Sequence, residues 1–176
     1  LESIRALQPD LIIAEKQRDA QIADDLKDIA PTVFFDPTRT DMSQWEEMRE
    51  TFTQMAKATG KSAQAEKVLA SLDAKIAEGK ATLEKAGKSG APVALAQGFT
   101  AEGAPSIRMF TNKAMAGQIL EKLGLKNAWT GEPDPWGFTT VDVEALTSVS
   151  KADFLYVAEP KDDIFTGALA KNAVWR

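Results

Sequence analysis

LESIRALQPDLIIAEK (1–16) carries the reading from which the fold follows. Leu1, Ile4 and Leu7 recur at three-residue steps, as on one face of a helix, and Pro9 stops it. The apolar run from Asp10 to Ala14 then predicts a short buried strand. The loop Glu15–Arg18 leads into a second amphipathic stretch with Ile22, Leu26 and Ile29 on one face. Pro31 ends that stretch, and Thr32–Phe35 predicts a second strand. Strand, helix, strand at this spacing is the pattern of a right-handed parallel crossover. A similar phrase returns as VEALTSVSKADFLYV (143–157), so the chain is expected to hold two α/β pieces.

What separates the two phrases is largely helical. Ser43 and Glu46 form a capping-box signature, followed by Trp45, Met48, Phe52, Met55 and Ala58 at three- and four-residue steps, with Gly60 placed to end the helix. A second helix is predicted from Ser62 to about Ala86 on the line Val68, Leu69, Leu72, Ile76 and Leu83. At 1.5 Å per residue it spans roughly 35–40 Å, long for a chain of this size. Gly87–Gly90 breaks it. Beyond the break, Pro92–Ala96 predicts a strand, Gly98–Pro105 a glycine-containing loop, Ile107–Phe110 a short strand and Asn112–Gly124 a helix. WTGEPDPWGF (129–138) is a Trp/Pro/Gly-rich loop, and a last short helix is expected to run out at Arg176. The domain expectation is therefore 1–41, a helical tract at 42–88, and 89–176.

Composition narrows the function classes. Of 176 residues, 44% are apolar and 27% charged, which is globular rather than disordered usage. No apolar run approaches the roughly 18 residues of a membrane span. The net charge of −5, with basic residues scattered among acids, argues against a nucleic-acid partner. The sequence has neither His nor Cys, which removes the usual zinc and haem ligand sets and every Ser-His or Cys-His arrangement. A transition metal handled by such a chain is expected to arrive inside a chelator. Gly60-Lys61-Ser62 and Gly87-Lys88-Ser89 echo a phosphate-binding loop. That motif requires a further Gly where Met55 and Thr82 stand, and a preceding strand, so neither segment qualifies.

Aligned, Leu1-Glu2-Ser3-Ile4 and Leu7 match Val143-Glu144-Ala145-Leu146 and Val149. Each glutamate falls in the first turn of its helix, where the helix dipole favours an acid, and Asp142 is a natural N-cap. The spacing leaves two readings open: acids that only serve helix starts, or a matched pair facing a partner.

LESIRALQPDLII with its loop arginine and DLKDIAPTVF, the long helix, IRMFTNKAMAGQILEKLGLKNAW, WGFTTVDVEAL and NAVWR together resemble the iron-siderophore-binding proteins of bacterial ABC importers. Within them the likeness is to the ferric-dicitrate and hydroxamate binders, and it covers nearly the whole chain. The resemblance implies an α/β fold of two Rossmann-like lobes joined by a long backbone helix, the class III periplasmic-binding-protein type, with a ferric chelate held in the inter-lobe cleft. It implies a binding protein rather than an enzyme, lying outside the cytoplasmic membrane as a periplasmic or lipid-anchored protein. It also implies that Glu2 and Glu144 are docking acids that meet arginines of the ABC permease. Family members carry further residues before the opening phrase and after NAVWR, so the first lobe is expected to be incomplete here and to leave an exposed sheet edge. A cobalamin or haem carrier of the same fold, and a His/Cys-free α/β enzyme, are the alternatives.

A ferric siderophore or ferric citrate is bulky and commonly anionic, so its site calls for fixed cations and aromatic walls. Arg18 follows the carboxyl end of the first strand, where α/β sheets present ligands, and matches the family's loop arginine; the other reading is a solvated helix-start residue. Lys16 shares that loop. Arg108, flanked by Ile107 and Met109, alternates onto the opposite strand face, toward either a ligand or water. Trp136 and Phe138 stand in the Gly/Pro loop where the family places pocket residues. Trp45 and Trp175 are assigned to packing, and the acids of EPDP and EPKDD to solvated loops. No metal ligand or catalytic residue is expected.

Overall fold

The computed structural model describes residues 1–175. The chain divides into two compact units, Leu1–Gly60 and Lys61–Arg176. The first unit starts with helix α1 (Glu2–Ala6), and Gln8 at φ 48° turns the chain into strand β1 (Ile12–Glu15). β1 pairs in parallel with β2 (Thr32–Phe35), with Ile12 opposite Thr32 and Glu15 opposite Phe35. The connection is broken into helix α2 (Lys16–Asp19), a 3-10 turn at Ala20–Ile22 and helix α3 (Ala23–Lys27). The expected loop at 15–18 is thus a helix start, because the Glu15 side chain accepts the Arg18 N–H and caps it.

Helix α4 (Gln44–Ala58) closes the first unit. Its capping box forms as expected, with Ser43 and Glu46 each accepting the other's backbone N–H. The buried apolar residues here are few: Ala14, Leu26, Ala30, Trp45 and Ala56.

Helix α5 (Ser62–Lys85) opens the second unit and leads to a five-stranded sheet. The central strand β3 (Pro92–Ala101) runs antiparallel to β4 (Ala104–Phe110) and parallel to β7 (Asp153–Ala158). β5 (Lys126–Asn127) pairs in parallel with the start of β3, and β6 (Phe138–Val141) runs antiparallel to β4. The expected loop at 98–105 is instead the end of a long hairpin. Glu102 and Gly103 both take positive φ (50° and 81°), the two-residue turn that matches strand twist. Gly98 is not a breaker; a Cβ there would lie 2.5 Å from the Phe165 ring, so its bareness seats that ring against the sheet.

One face of the sheet buries Ala94, Ala96, Ile107 and Met109 under Val143, Leu146, Val149, Ile164, Phe165 and Leu169. Helix α6 (Met115–Lys122) is shorter than expected, since residues 111–114 form a turn in which the Ala114 N–H donates to the Thr111 carbonyl. Val143–Val149 is a 3-10 helix, whose period of three puts Val143, Leu146 and Val149 on one face. Among the described residues the last expected helix does not form: hydrogen bonds at 163–172 span three, four and five residues and do not repeat into a ladder. Arg176, where that helix was expected to end, lies outside the described residues.

Candidate functional site

Strand alternation builds the most distinctive site in the second unit. Ile107 and Met109 point into the core, fully shielded, so Arg108 emerges on the other face of β4. The register sets Gln97 beside it on β3 and Thr140 on β6. Its guanidinium carbon lies 4.5 Å from the Phe99 ring centroid and 4.8 Å from that of Phe138, and the latter packs edge-on against Phe110. Nη1–H reaches the Gln97 Oε1 at 3.4 Å, while the buried Nε–H has no acceptor. Among the described residues no carboxylate pairs with Arg108. Two ring contacts to this half-buried cation contribute about 1–2 kcal/mol. An unmet buried donor costs about 1–3 kcal/mol, so the arrangement leaves a prepared donor without a protein acceptor.

Phe138 and Trp136 come from one tight turn. Asp134 Oδ1 accepts the N–H of Trp136 at 2.9 Å and of Phe138 at 3.2 Å. Trp136, 45% exposed, lies at the tip, and Phe138 begins β6. Three acids of the two loops, Asp134, Asp162 and Asp163, are therefore not simply solvated. Asp134 organises this turn, Asp162 accepts the backbone N–H and hydroxyl of Thr100, and Asp163 accepts the N–H groups of Phe165 and Thr166.

The first unit offers a different surface. Lys16 and Arg18, on one short helix, part into two hollows that share Phe35, Glu47 and Thr51. The hollow holding Lys16 measures ≈ 480 Å³ and is rimmed by Asp36, Arg39 and Glu50. The one holding Arg18 measures ≈ 280 Å³ and is walled by Ile13, Pro37 and Met55. Lys16 pairs with Asp36 at 3.5 Å. The Arg18 guanidinium lies along both oxygens of Asp19, at 3.2 and 3.4 Å. The bond from Arg18 is the main reason that the Asp19 carboxyl is held below its usual range.

Glu2 occupies the first turn of α1 and Glu144 that of the 3-10 helix, which Asp142 caps at the Ala145 N–H; both glutamates are exposed. Trp45 is buried, and Trp175 packs against Phe154, Tyr156 and Phe165. Arg108 and Phe138, expected separately, thus form one cluster. Phe99 and Gln97 were missed, because Gly98 made their segment look like a loop; the period-two run Ala94, Ala96, Gly98 was the signal for a strand.

The sequence profile of the periplasmic binding protein family matches residues 1–176. The chain belongs to that family. It is 27% identical over 176 residues to the "Fe(3+)-citrate-binding protein YfmC" of Bacillus subtilis (strain 168), covering 100% of this chain and 52% of the relative. It is 28% identical over 170 residues to the "Probable siderophore-binding lipoprotein YfiY" of the same organism, covering 93% of this chain and 48% of the relative. The chain thus spans about half the length of these curated relatives. Among solved structures, the Fe3+-Desferal-bound siderophore binding protein FhuD from Vibrio cholerae superposes with a TM-score of 0.85 at 27% identity, over 100% of this chain and 64% of that one. The mixed α/β architecture is that of the class III periplasmic-binding-protein type, as the sequence led us to expect. No helix among the described residues is long and apolar enough to cross a membrane.

Proposed function

We propose that this protein captures a ferric siderophore or ferric citrate outside the cytoplasmic membrane and delivers it to an ABC permease. The observation that carries the reading is Arg108, stacked between Phe99 and Phe138 with a buried Nε–H and, among the described residues, no acid to answer its charge. A cation so held is suited to the oxygens of an incoming chelate, and its flanking rings to the chelate's apolar body. In the second unit, Trp136 and Phe138 wall the ligand; in the first, Arg18 and Lys16 are the cations we assign to chelate contact. The relatives support this ligand class, since those named for a ligand are named for ferric citrate, a siderophore or Fe3+-Desferal. The chain's membership of a family of binding proteins favours capture over catalysis. The lipoprotein relative supports an extracytoplasmic location.

Glu2 and Glu144, exposed at two helix starts, are the residues we assign to permease docking. Replacing both with Ala is expected to leave chelate affinity unchanged and to abolish uptake. Uptake that survives the double replacement removes the docking role. The ligand reading is tested by tryptophan-fluorescence titration with ferric citrate, ferric desferrioxamine, cobalamin and the iron-free chelators. Saturable one-to-one quenching by a ferric chelate, absent with its iron-free form, is the expected result. Saturation by cobalamin alone transfers the assignment to a corrin carrier, and no saturable binding to any of them overturns it.

A further inference from the structure

The stack that holds Arg108 depends on a residue that never touches it. Asp134 Oδ1 accepts two backbone N–H groups, from Trp136 and Phe138, while its own N–H donates to the Phe138 carbonyl at 2.9 Å. The Gly137 N–H closes the turn on the Asp134 carbonyl at 3.0 Å. An aspartate accepting from the backbone two and four residues on rigidifies a turn without help from packing. The turn is in turn pinned to the body of the unit. The Gly137 carbonyl accepts both the N–H and the hydroxyl of Thr111, at 3.0 and 2.8 Å, and Thr111 is buried. Gly137 sits at φ 88°, and a Cβ there would fall 2.5 Å from the Ala114 nitrogen, so the close approach needs glycine.

Phe138 leaves this turn as the first residue of β6, and its ring is one of the two that hold the guanidinium. The single hydrogen bond to Gln97, at 3.4 Å, is too long to hold Arg108 by itself. Ring placement is therefore what fixes the direction of the Arg108 donors, and Asp134, together with the pairing of Phe138 with Phe110, holds the backbone that carries the ring. We propose that Asp134 is the positioning residue of the ligand site, setting Phe138 and hence Arg108 before any chelate arrives. Its consequence for binding rests on the chelate reading above; its effect on Arg108 does not.

The test follows the Arg108 Nε–H resonance in 1H–15N correlation spectra, identified by its loss in Arg108→Lys. Stacked between two rings and shielded from water, this proton is expected to be ring-current shifted and slow to exchange. Asp134→Ala should return it toward the position of an exposed arginine and weaken ferric citrate or ferric desferrioxamine binding about tenfold, the lower end of what loss of an outer-shell partner does to a site. Asp134→Asn keeps the Oδ1 acceptor and should restore both. Should Asp134→Ala fail to fold, Thr111→Val, which removes one bond to the Gly137 carbonyl, must shift the same resonance in the same direction. An unmoved resonance, or a failure of Asn to restore it, overturns the proposal. If the wild-type protein binds neither ferric probe, the chelate reading falls while the resonance still decides the role of Asp134.

Discussion

Arg18 and Arg108 carry the same charge in opposite surroundings. The Arg18 side chain is 72% exposed and lies along both oxygens of the adjacent Asp19, which raises its pKa above the ordinary value, mainly through that hydrogen bond. Arg108 has its Nε buried, two phenylalanine rings against it and, among the described residues, no carboxylate partner, although it shares the chain with 26 acids. A surface pair of the first kind adds little to stability and is screened by salt. A buried donor left without an acceptor works against stability, and folds tolerate such a group where a ligand is to supply the acceptor. Position in an α/β scaffold thus gives both residues a claim to the ligand, but only Arg108 keeps a buried donor that the described residues leave unmet.

The two units differ in the same sense. The first buries little beyond alanines, Leu26 and Trp45, while the second has a contiguous core in which Phe165 is 1% exposed and fits the space left by Gly98. The largest expected effect of any single change is therefore Phe165→Ala, which should destabilise the second unit by about 3–5 kcal/mol. Native-state hydrogen exchange would show it as lost protection in β3, β4 and β7. A loss below about 1 kcal/mol would mean that the second unit has no better core than the first.

Arg108→Met comes next and sharpens the contrast between the arginines. It should lower affinity for the bound ferric chelate about 100-fold, in the range for losing a buried charge contact. Melting should show stability unchanged or raised by about 1 kcal/mol, since the change removes an unmet donor and keeps the apolar stem between the rings. Arg18→Met should alter affinity less than about fivefold, because its charge is exposed and already answered by Asp19. Equal losses from the two variants would sink the distinction.

Much of this was legible in the sequence. Thr32–Phe35 formed as read because a β-branched and aromatic run between turn residues has few other uses, and Ser43 with Glu46 capped α4 because the box is a purely local device. The outward face of Arg108 followed from alternation with Ile107 and Met109. Longer-range causes were not visible. Gly98 reads as a breaker until Phe165, distant in sequence, is seen to rest on it. Two signals were present and went unused. Val143, Leu146 and Val149 are spaced strictly by three, the repeat of a 3-10 helix, and Asp134-Pro135-Trp136-Gly137 has the residue order of a tight turn. The acid of that turn passed for a solvated charge because nothing local says which backbone N–H groups it will meet.

The smallest expected effect tests whether the contrast reaches the acids. Asp19 and Asp41 titrate below the ordinary aspartate range chiefly because Arg18 and Arg39 bond to them. Asp162 and Asp163 do so chiefly because the side chains of Thr100 and Thr166 donate to them, with backbone N–H groups adding to the effect. Asp36 lies between these cases, with Thr38 the larger cause and Lys16 the lesser. In every case the folded value is the lower one, so the unfolded chain binds more protons in acid. The stabilisation is complete above the unfolded aspartate pKa and is lost as pH falls through the depressed folded values. At about 1 M salt the Debye length shrinks to roughly 3 Å and screens exposed charge pairs, but neutral donors do not respond to it. Carboxyl 13C titrations at low and high salt should therefore show Asp19 and Asp41 rising toward the ordinary value, Asp36 rising less, and Asp162 and Asp163 staying where they are. If all five moved together, cation pairing would not be what separates the acids of the first unit from those of the second.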